Sequence, residues 1–354
     1  MAIAASGAVS FSDLRTEFVG GSGSISFSNL YRGGVNIPAK ALNNIADNLA
    51  ASVPTSGTIN FTNFRSTAKG FRYTYTAGAT NQNASALFGD DYSTSYLKEI
   101  VINSGVELGA TSTSEEALQI DSGASGTITI TNNGTLTGAG GAANSGAGGD
   151  AFEANIACTF INNGTIRSGG GGAGRGGNGG TGGGGRYTTT GGNTYITFAQ
   201  SGSPCSVNMF SGYNNYVNKY VTSGSCCMGE GYTCRLYGQL QTTTNTNGGA
   251  GGAGGNGGVG QGYNQSNTAG AGGAGGAGGG TNAGAGGTGG TGGTGGTFGS
   301  NGANGNTGAT GANGNRTNGS GGAGGSGGGA AGAAIRNISN VTFTNNGTVL
   351  GGQV

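Results

Sequence analysis

The chain has 354 residues, 88 of them glycine and only 3 proline, with no histidine or tryptophan, a charged fraction of 8% and a formal net charge of +1. This composition leaves little apolar mass for a conventional core, rules out Ser-His-Asp and Cys-His catalytic sets, and lacks the proline content and G-x-y period of collagen. Near-neutral charge without a basic cluster argues against a nucleic-acid partner, and no apolar run reaches the roughly 18 residues of a membrane span.

Residues 1–72 repeat internally as "SGAVSFSDLR" (6–15), "SGSISFSNLYR" (22–32) and "SGTINFTNFR" (56–65). Each copy reads as a small-residue turn, a short alternating strand, then a Ser/Thr-capped turn carrying an apolar and a basic residue. So short a turn cannot bury its face alone, so the copies are expected to pack on one another or on a neighbouring protein. Between copies two and three, "PAKALNNIADNLAAS" (38–52) predicts a helix with Leu42, Ile45 and Leu49 on one side. The opening "MAIAASGAVSFSDL" shows neither the charged nor the apolar region of a secretory signal, so synthesis in the cytoplasm is expected.

Residues 73–166 are strand-rich. "LKEIVINSGVELGA" (97–110) alternates, with Ile100, Ile102, Val106 and Leu108 apolar. "GTITITNNGTLTGAGG" (126–141), "CTFINNGTIRSGGGG" (158–172) and "VTFTNNGTVLGGQ" (341–353) share an N-N-G step joining two β-prone runs, which suits either a hairpin or a corner between solenoid rungs. The chain should therefore enter and leave the intervening glycine region through neighbouring pieces of sheet. Thr113 reads as a helix N-cap closed by Glu116, with Glu115 in the first turn, and Asp90-Asp91 as a surface turn rather than a calcium site.

Residues 167–354 hold the glycine body, in six runs at 168–186, 248–262, 269–280, 284–297, 299–315 and 319–333. The stretch "GGTGGTGGTGGT" (286–297) keeps a three-residue beat, with threonine at 288, 291, 294 and 297. Three residues per turn is the period of the polyproline-II helix, in which G-G-x offers two bare edges to neighbours and one side chain to solvent. The predicted fold class is thus mostly β plus polyglycine-II: a small N-terminal repeat module, a β-rich middle and a bundle of packed glycine helices. Ordering glycine costs at least the ~1–2 kcal/mol per residue typical of backbone, so hydrogen bonds and Cα–H···O contacts between rods must compensate. With entry and exit side by side, an even number of rods places the insert 187–247 at the far tip. The turns 281–283 and 316–318 join it there, and 263–268 and 298–300 return to the base.

The insert holds Tyr187, Tyr195, Phe210, Tyr213, Tyr216, Tyr220, Tyr232 and Tyr237. Stiff amphipathic rings suit recognition loops, and with Asn282, Arg316 and Asn318 from the distal turns they are the candidate receptor-binding residues. About half of the rings are expected to form the insert's own core. Cys205, Cys226, Cys227 and Cys234 are disulfide candidates. Without histidine or a C-x-x-C pair no zinc site is expected, nor does any motif call for a cofactor.

The repeats "SGAVSFSDLRTEF" and "SGTINFTNFR" resemble N-terminal segments of tailed-phage virion proteins. "IVINSGVELGATS", "ALQI", "GTITITNNGTLTGAGGAA" and "GAGGDAF" are similar to glycine-rich phage receptor-binding proteins, and the G-G-x body resembles the polyglycine-II sandwich of tail-fibre tip adhesins. The resemblance covers nearly the whole chain apart from the cysteine-bearing insert. It implies a non-catalytic adhesin of the tail fibre or tail tip, carried on the virion, that touches a host surface protein or glycan. Residues 1–72 would attach it to other fibre proteins through Phe11, Leu14, Arg15, Phe27, Leu30, Phe61, Phe64 and Arg65. It would have a β-rich base (73–166) and a glycine sandwich (167–354), and could assemble as a homotrimer. A structural fibre or baseplate linker without receptor contact is the alternative.

Overall fold

The computed structural model describes residues 3–20, 24–38, 47–200, 214–222 and 233–354. The fold is mostly β with few helical turns. Alternating apolar residues in the middle region build three parallel sheets rather than hairpins. One sheet stacks Gly70–Tyr75, Leu97–Ile102, Ile128–Asn132, Cys158–Asn162 and Val341–Asn345 in that order. A second stacks Ala79–Thr80, Glu107–Gly109, Thr135–Thr137, Thr165–Arg167 and Thr348–Leu350. The third stacks Gln82–Asn83, Leu118–Ile120, Phe152–Ala154, Ala333–Arg336 and Gly352–Gln353. Each turn of the chain visits the three sheets in order, which makes a three-sided solenoid. Its interior is filled by Ile100, Ile102, Leu108, Leu118, Ile120, Ile130, Leu136, Phe152, Phe160, Ile166 and Ile335, all buried.

The N-N-G steps are corners between the first and second sheets. A two-residue hairpin of type I′ needs positive φ at both central residues, and none of Asn133, Gly134, Asn163, Gly164, Asn346 and Gly347 has it. Instead the first asparagine of each step points inward and stacks. Asn132 Nδ2 donates to Asn162 Oδ1 (2.8 Å), and Asn162 Nδ2 donates to Asn345 Oδ1 (2.8 Å). The glycines are needed because each corner rests on the one before. A Cβ at Gly164 would lie 2.1 Å from Gly134 O, and one at Gly347 2.1 Å from Gly164 O. Replacing Asn162, which is fully buried, with alanine removes the acceptor of the buried Asn132 amide and the donor to Asn345. The expected loss is about 2–3 kcal/mol in urea unfolding. Asn163→Ala, on the exposed ladder, should lose a few tenths of that; equal losses would contradict the ladder's role.

Lys98 occupies an inward position of Leu97–Ile102. Its Nζ donates to the carbonyls of Thr94 (2.7 Å), Tyr96 (3.0 Å) and Ser125 (2.6 Å), and burial lowers its pKa to about 8. The nearby Asp91 is buried within the 3-10 turn Gly89–Ser93. This corrects the surface-turn expectation for Asp91, whereas Asp90 is exposed in that turn. The N-cap expected at Thr113 is also corrected: 111–117 is a bend with Glu115 N–H donating to Ser112 O (3.2 Å), and the chain re-enters a strand at Leu118. A helix capped at Thr113 has no room to form where the sheet ladder must resume five residues later, at Leu118.

The glycine body is inserted at a single corner, between Thr165–Arg167 of the second sheet and Ala333–Arg336 of the third. Cys158–Asn162 and Val341–Asn345, on either side of it, pair in parallel and in register. Its six runs cross back and forth without forming strands except where the first and last lead into Gly185–Gln200 and Ala333–Arg336, and inter-run hydrogen bonds recur every third residue. The first run donates from Ala173, Gly176, Gly179 and Gly182 to Gly258, Gly255, Gly252 and Gly249 at 2.8–2.9 Å. It also donates from Gly174, Gly177, Gly180 and Gly183 to Ala303, Asn306, Ala309 and Ala312. On its other sides it accepts from Gly287, Gly290 and Gly293 and from Ser320, Ala323 and Ser326. The runs 168–184 and 284–297 each touch four neighbours through such ladders. The threonines at 288, 291, 294 and 297 are exposed.

The outermost runs depart from the expected code of bare edges inward. Gly272, Gly275, Gly278, Gly321 and Gly324 have nothing within 4 Å of a Cβ position. One glycine edge of each outer run therefore faces solvent, because a rod at the margin has neighbours on one side only.

In the N-terminal module the three copies pack on one another. Each begins with a capping box, Ser10–Asp13, Ser26–Asn29 and Asn60–Asn63, so the third cap is asparagine rather than Ser/Thr. Leu14, Leu30 and Phe64 are fully buried with Phe18, Ile37 and Val53. Of the helix expected over 38–52, residues 39–46 lie outside the described residues. Asp47–Asn48 corrects the remainder: it pairs antiparallel with Phe71 and Arg72 and covers the solenoid's first edge.

Candidate functional site

Two surfaces gather the candidate residues, one at each end of the chain's course. At the distal end the insert is a three-stranded sheet, with Thr233–Thr246 central between Gly185–Gln200 and Tyr216–Thr222. Two-residue alternation puts three candidate tyrosines abreast. Tyr237 lies opposite both Tyr195 and Tyr220 in register, and each ring pair is 5.8 Å apart, the first edge-on and the second stacked. Tyr195 and Tyr220 are 43% and 38% exposed, so this ladder is both the insert's packing and part of its surface. Tyr187 and Tyr216 are half-buried on the same sheet. Phe210, Tyr213 and Tyr232, with Cys205, Cys226 and Cys227, lie outside the described residues. Cys234 contributes backbone to the central strand.

The root of the insert meets the turns at 281–283 and 315–318. Asn282 Nδ2 (3.1 Å) and Asn315 Nδ2 (2.8 Å) both donate to Arg186 O, and Arg186 N–H donates back to Asn315 Oδ1 (2.7 Å). Asn282 holds φ 58°, a left-handed conformation that asparagine tolerates and that aims its amide at the insert. Arg186, Tyr187, Thr188, Asn282, Asn315 and Arg316 line an open cleft of about 570 Å³. Asn318 is exposed in the adjoining turn. Sequence reasoning named Tyr187, Asn282 and Arg316 but missed Arg186 and Asn315. Their signal was their position as the last residues of the runs 168–186 and 299–315, next to the insert and the 316–318 turn. The opposite turns lie at the solenoid: Tyr263 N–H donates to Gly138 O (3.1 Å), and Arg167 stacks on Phe298 at 4.0 Å.

At the N-terminal module the first residue of each capped turn comes to one point. Phe11, Phe27 and Phe61 form a triangle of rings with centroids 4.8, 5.0 and 5.1 Å apart. Phe11 is 40% exposed and the other two are half-buried. Leu14, Leu30 and Phe64 must be corrected as contact residues, because they form the module's own core beneath this triangle. Arg65 is turned back on the chain, donating to Ala5 O (3.4 Å) and Gly7 O (2.7 Å). Arg15 follows the first capped turn and is half-buried.

A third polar grouping sits at the solenoid end of the glycine body. Asp150 accepts from Ala333 N–H (2.5 Å) and pairs with Arg336. Burial, with Glu153 and Asp150 nearby, pushes Glu116 up to about 7. It fastens the glycine body to the third sheet and lies away from the insert.

No curated protein sequence matches the chain. A solved structure similar to it is the crystal structure of the gp37-gp38 adhesin tip complex of the bacteriophage S16 long tail fiber, at 17% identity over 85% of this chain and 88% of that one, with a TM-score of 0.36. The sequence model of a family described as phage tail fibre adhesin Gp38 matches residues 70–274, which hold the solenoid strands before the glycine body, the insert and the first glycine runs. A match over more than half of the sequence decides the matter: the chain belongs to the phage tail fibre adhesin Gp38 family.

Proposed function

We propose that this adhesin recognises the host cell surface with its distal end, through the insert and the turns at 281–283 and 315–318. The observation that carries the reading is the placement of its aromatic and basic side chains at the end of the glycine body farthest from the solenoid. The six glycine runs act as a stiff plate of polyglycine-II helices, a reading supported by their three-residue hydrogen-bond period. The division of labour is attachment by residues 1–72, a base at 73–166 and presentation by 167–354, on the virion tail. The work of the distal end is binding to a surface protein or glycan, without turnover.

Attachment uses the Phe11–Phe27–Phe61 triangle. Three internal copies give a single chain an approximate threefold face, which fits the end of a trimeric fibre protein. One copy then suffices, and no trimer of this chain is required.

The test is adsorption. Purified full-length protein should compete with phage for sensitive cells, and protein lacking 187–247 should not. Undiminished competition by the shortened chain would instead support a spacer without receptor contact.

A further inference from the structure

The charges of this sequence are segregated along it. Residues 1–167 carry eight Lys/Arg against twelve Asp/Glu, whereas 168–354 carry six against one, Glu230. Of those six, Arg336 is committed to Asp150 at the solenoid. The distal half is therefore cationic on a chain that is nearly neutral overall. A bacterial surface rich in phosphate and carboxylate would be met by the complementary end.

Arg186 and Arg316 concentrate that charge in one cleft. Asn315 clamps the backbone of Arg186 with two hydrogen bonds, and Arg186 Nε donates to Asn245 Oδ1 (3.2 Å), which leaves its terminal nitrogens for another acceptor. Arg316 N–H donates to Gly184 O (3.1 Å), and its guanidinium lies over Gly184, where a Cβ would approach Nη2 to 3.2 Å. Neither guanidinium meets a carboxylate among the described residues. The remaining lining is hydroxyl, amide and the half-buried ring of Tyr187. Two planar donor forks, amides and an aromatic ring in a volume of about 570 Å³ make a site for a charged sugar rather than for an apolar side chain.

We propose that this cleft binds an oxyanion-bearing sugar of the host's surface polysaccharide, the phosphate or carboxylate held between Arg186 and Arg316 and the ring lying against Tyr187. This rests on the distal reading above and names its ligand class.

The experiment is calorimetric titration of the full chain with glucose 6-phosphate, galacturonate, glucose and inorganic phosphate at low and high salt. A charged sugar should bind at least about tenfold more tightly than glucose and inorganic phosphate, and more weakly as salt rises. The phosphate and uronate arms tell which oxyanion is preferred. The variant Arg186→Gln/Arg316→Gln should lose about tenfold or more of that affinity. Both side chains are exposed, so its melting temperature should match wild type. Unchanged affinity in the double variant, or equal binding of glucose and charged sugars, overturns the proposal, as does equal binding of inorganic phosphate. The adsorption assay keeps the two readings apart. If removing 187–247 abolishes competition while the double variant still binds every sugar as wild type does, the distal reading stands and the anion site falls.

Discussion

Gly290→Ala destabilises the glycine body by about 3 kcal/mol or more, while Gly275→Ala leaves it unchanged or slightly more stable. Both residues follow the same G-G-x beat, and neither has positive φ, so backbone strain does not separate them. What separates them is the neighbour. A Cβ at Gly290 would stand 2.0 Å from Asn306 O, against a carbonyl of an adjoining run that is itself hydrogen-bonded to Gly177 (2.8 Å). Backbone cannot step aside as a flexible side chain can, so two runs must separate and lose bonds along their length. At Gly275 the methyl enters open solvent, and alanine's smaller unfolded-state entropy contributes a few tenths to 1 kcal/mol in favour of folding. Urea unfolding followed by limited proteolysis within 168–332 measures both. Equal effects at the two positions would mean that the runs are not held by close backbone approach.

On the proposed mount, Phe11→Lys should remove the chain from assembled phage particles while leaving the N-terminal module folded. Phe11 is the most exposed ring of the triangle and sits above, not in, the cluster of Leu14, Leu30 and Phe64. A buried lysine charge at a protein–protein contact is strongly unfavourable, so one substitution at the centre of a small apolar face should reduce incorporation by tenfold or more. Leu14→Ala is the contrasting variant. It should unfold the module with a loss of about 2–5 kcal/mol and so abolish attachment indirectly. Quantifying the chain in purified particles, alongside circular dichroism of the isolated protein, distinguishes the two. Full incorporation of Phe11→Lys would remove the triangle from the mount.

Much of this architecture was legible because it is periodic. The threonines of 286–297 marked a three-residue beat, and the alternation in 97–108 marked inward residues. The three copies at 6–15, 22–32 and 56–65 aligned Phe11, Phe27 and Phe61 before any coordinates. Those signals are local: backbone geometry repeats every two or three residues, and the side chains must repeat with it.

Other features depended on partners distant in the chain. Whether N-N-G closed a hairpin or turned a corner was decided by Asn162 finding Asn132 and Asn345, thirty and nearly two hundred residues away. Leu14 and Phe64 looked like contact residues because an apolar residue on a short turn reads the same whether its partner is another chain or a copy of itself. The bare outer edges at Gly275 and Gly324, and the pairing of Arg186 with Arg316 across a cleft, were likewise invisible in the triplets. By itself the sequence determined the periods, the inward faces and the limits of the glycine runs. Only the tertiary structure decided which runs are central, which corner carries the insertion and which charges share a site, because these follow from neighbours that the order of residues does not name.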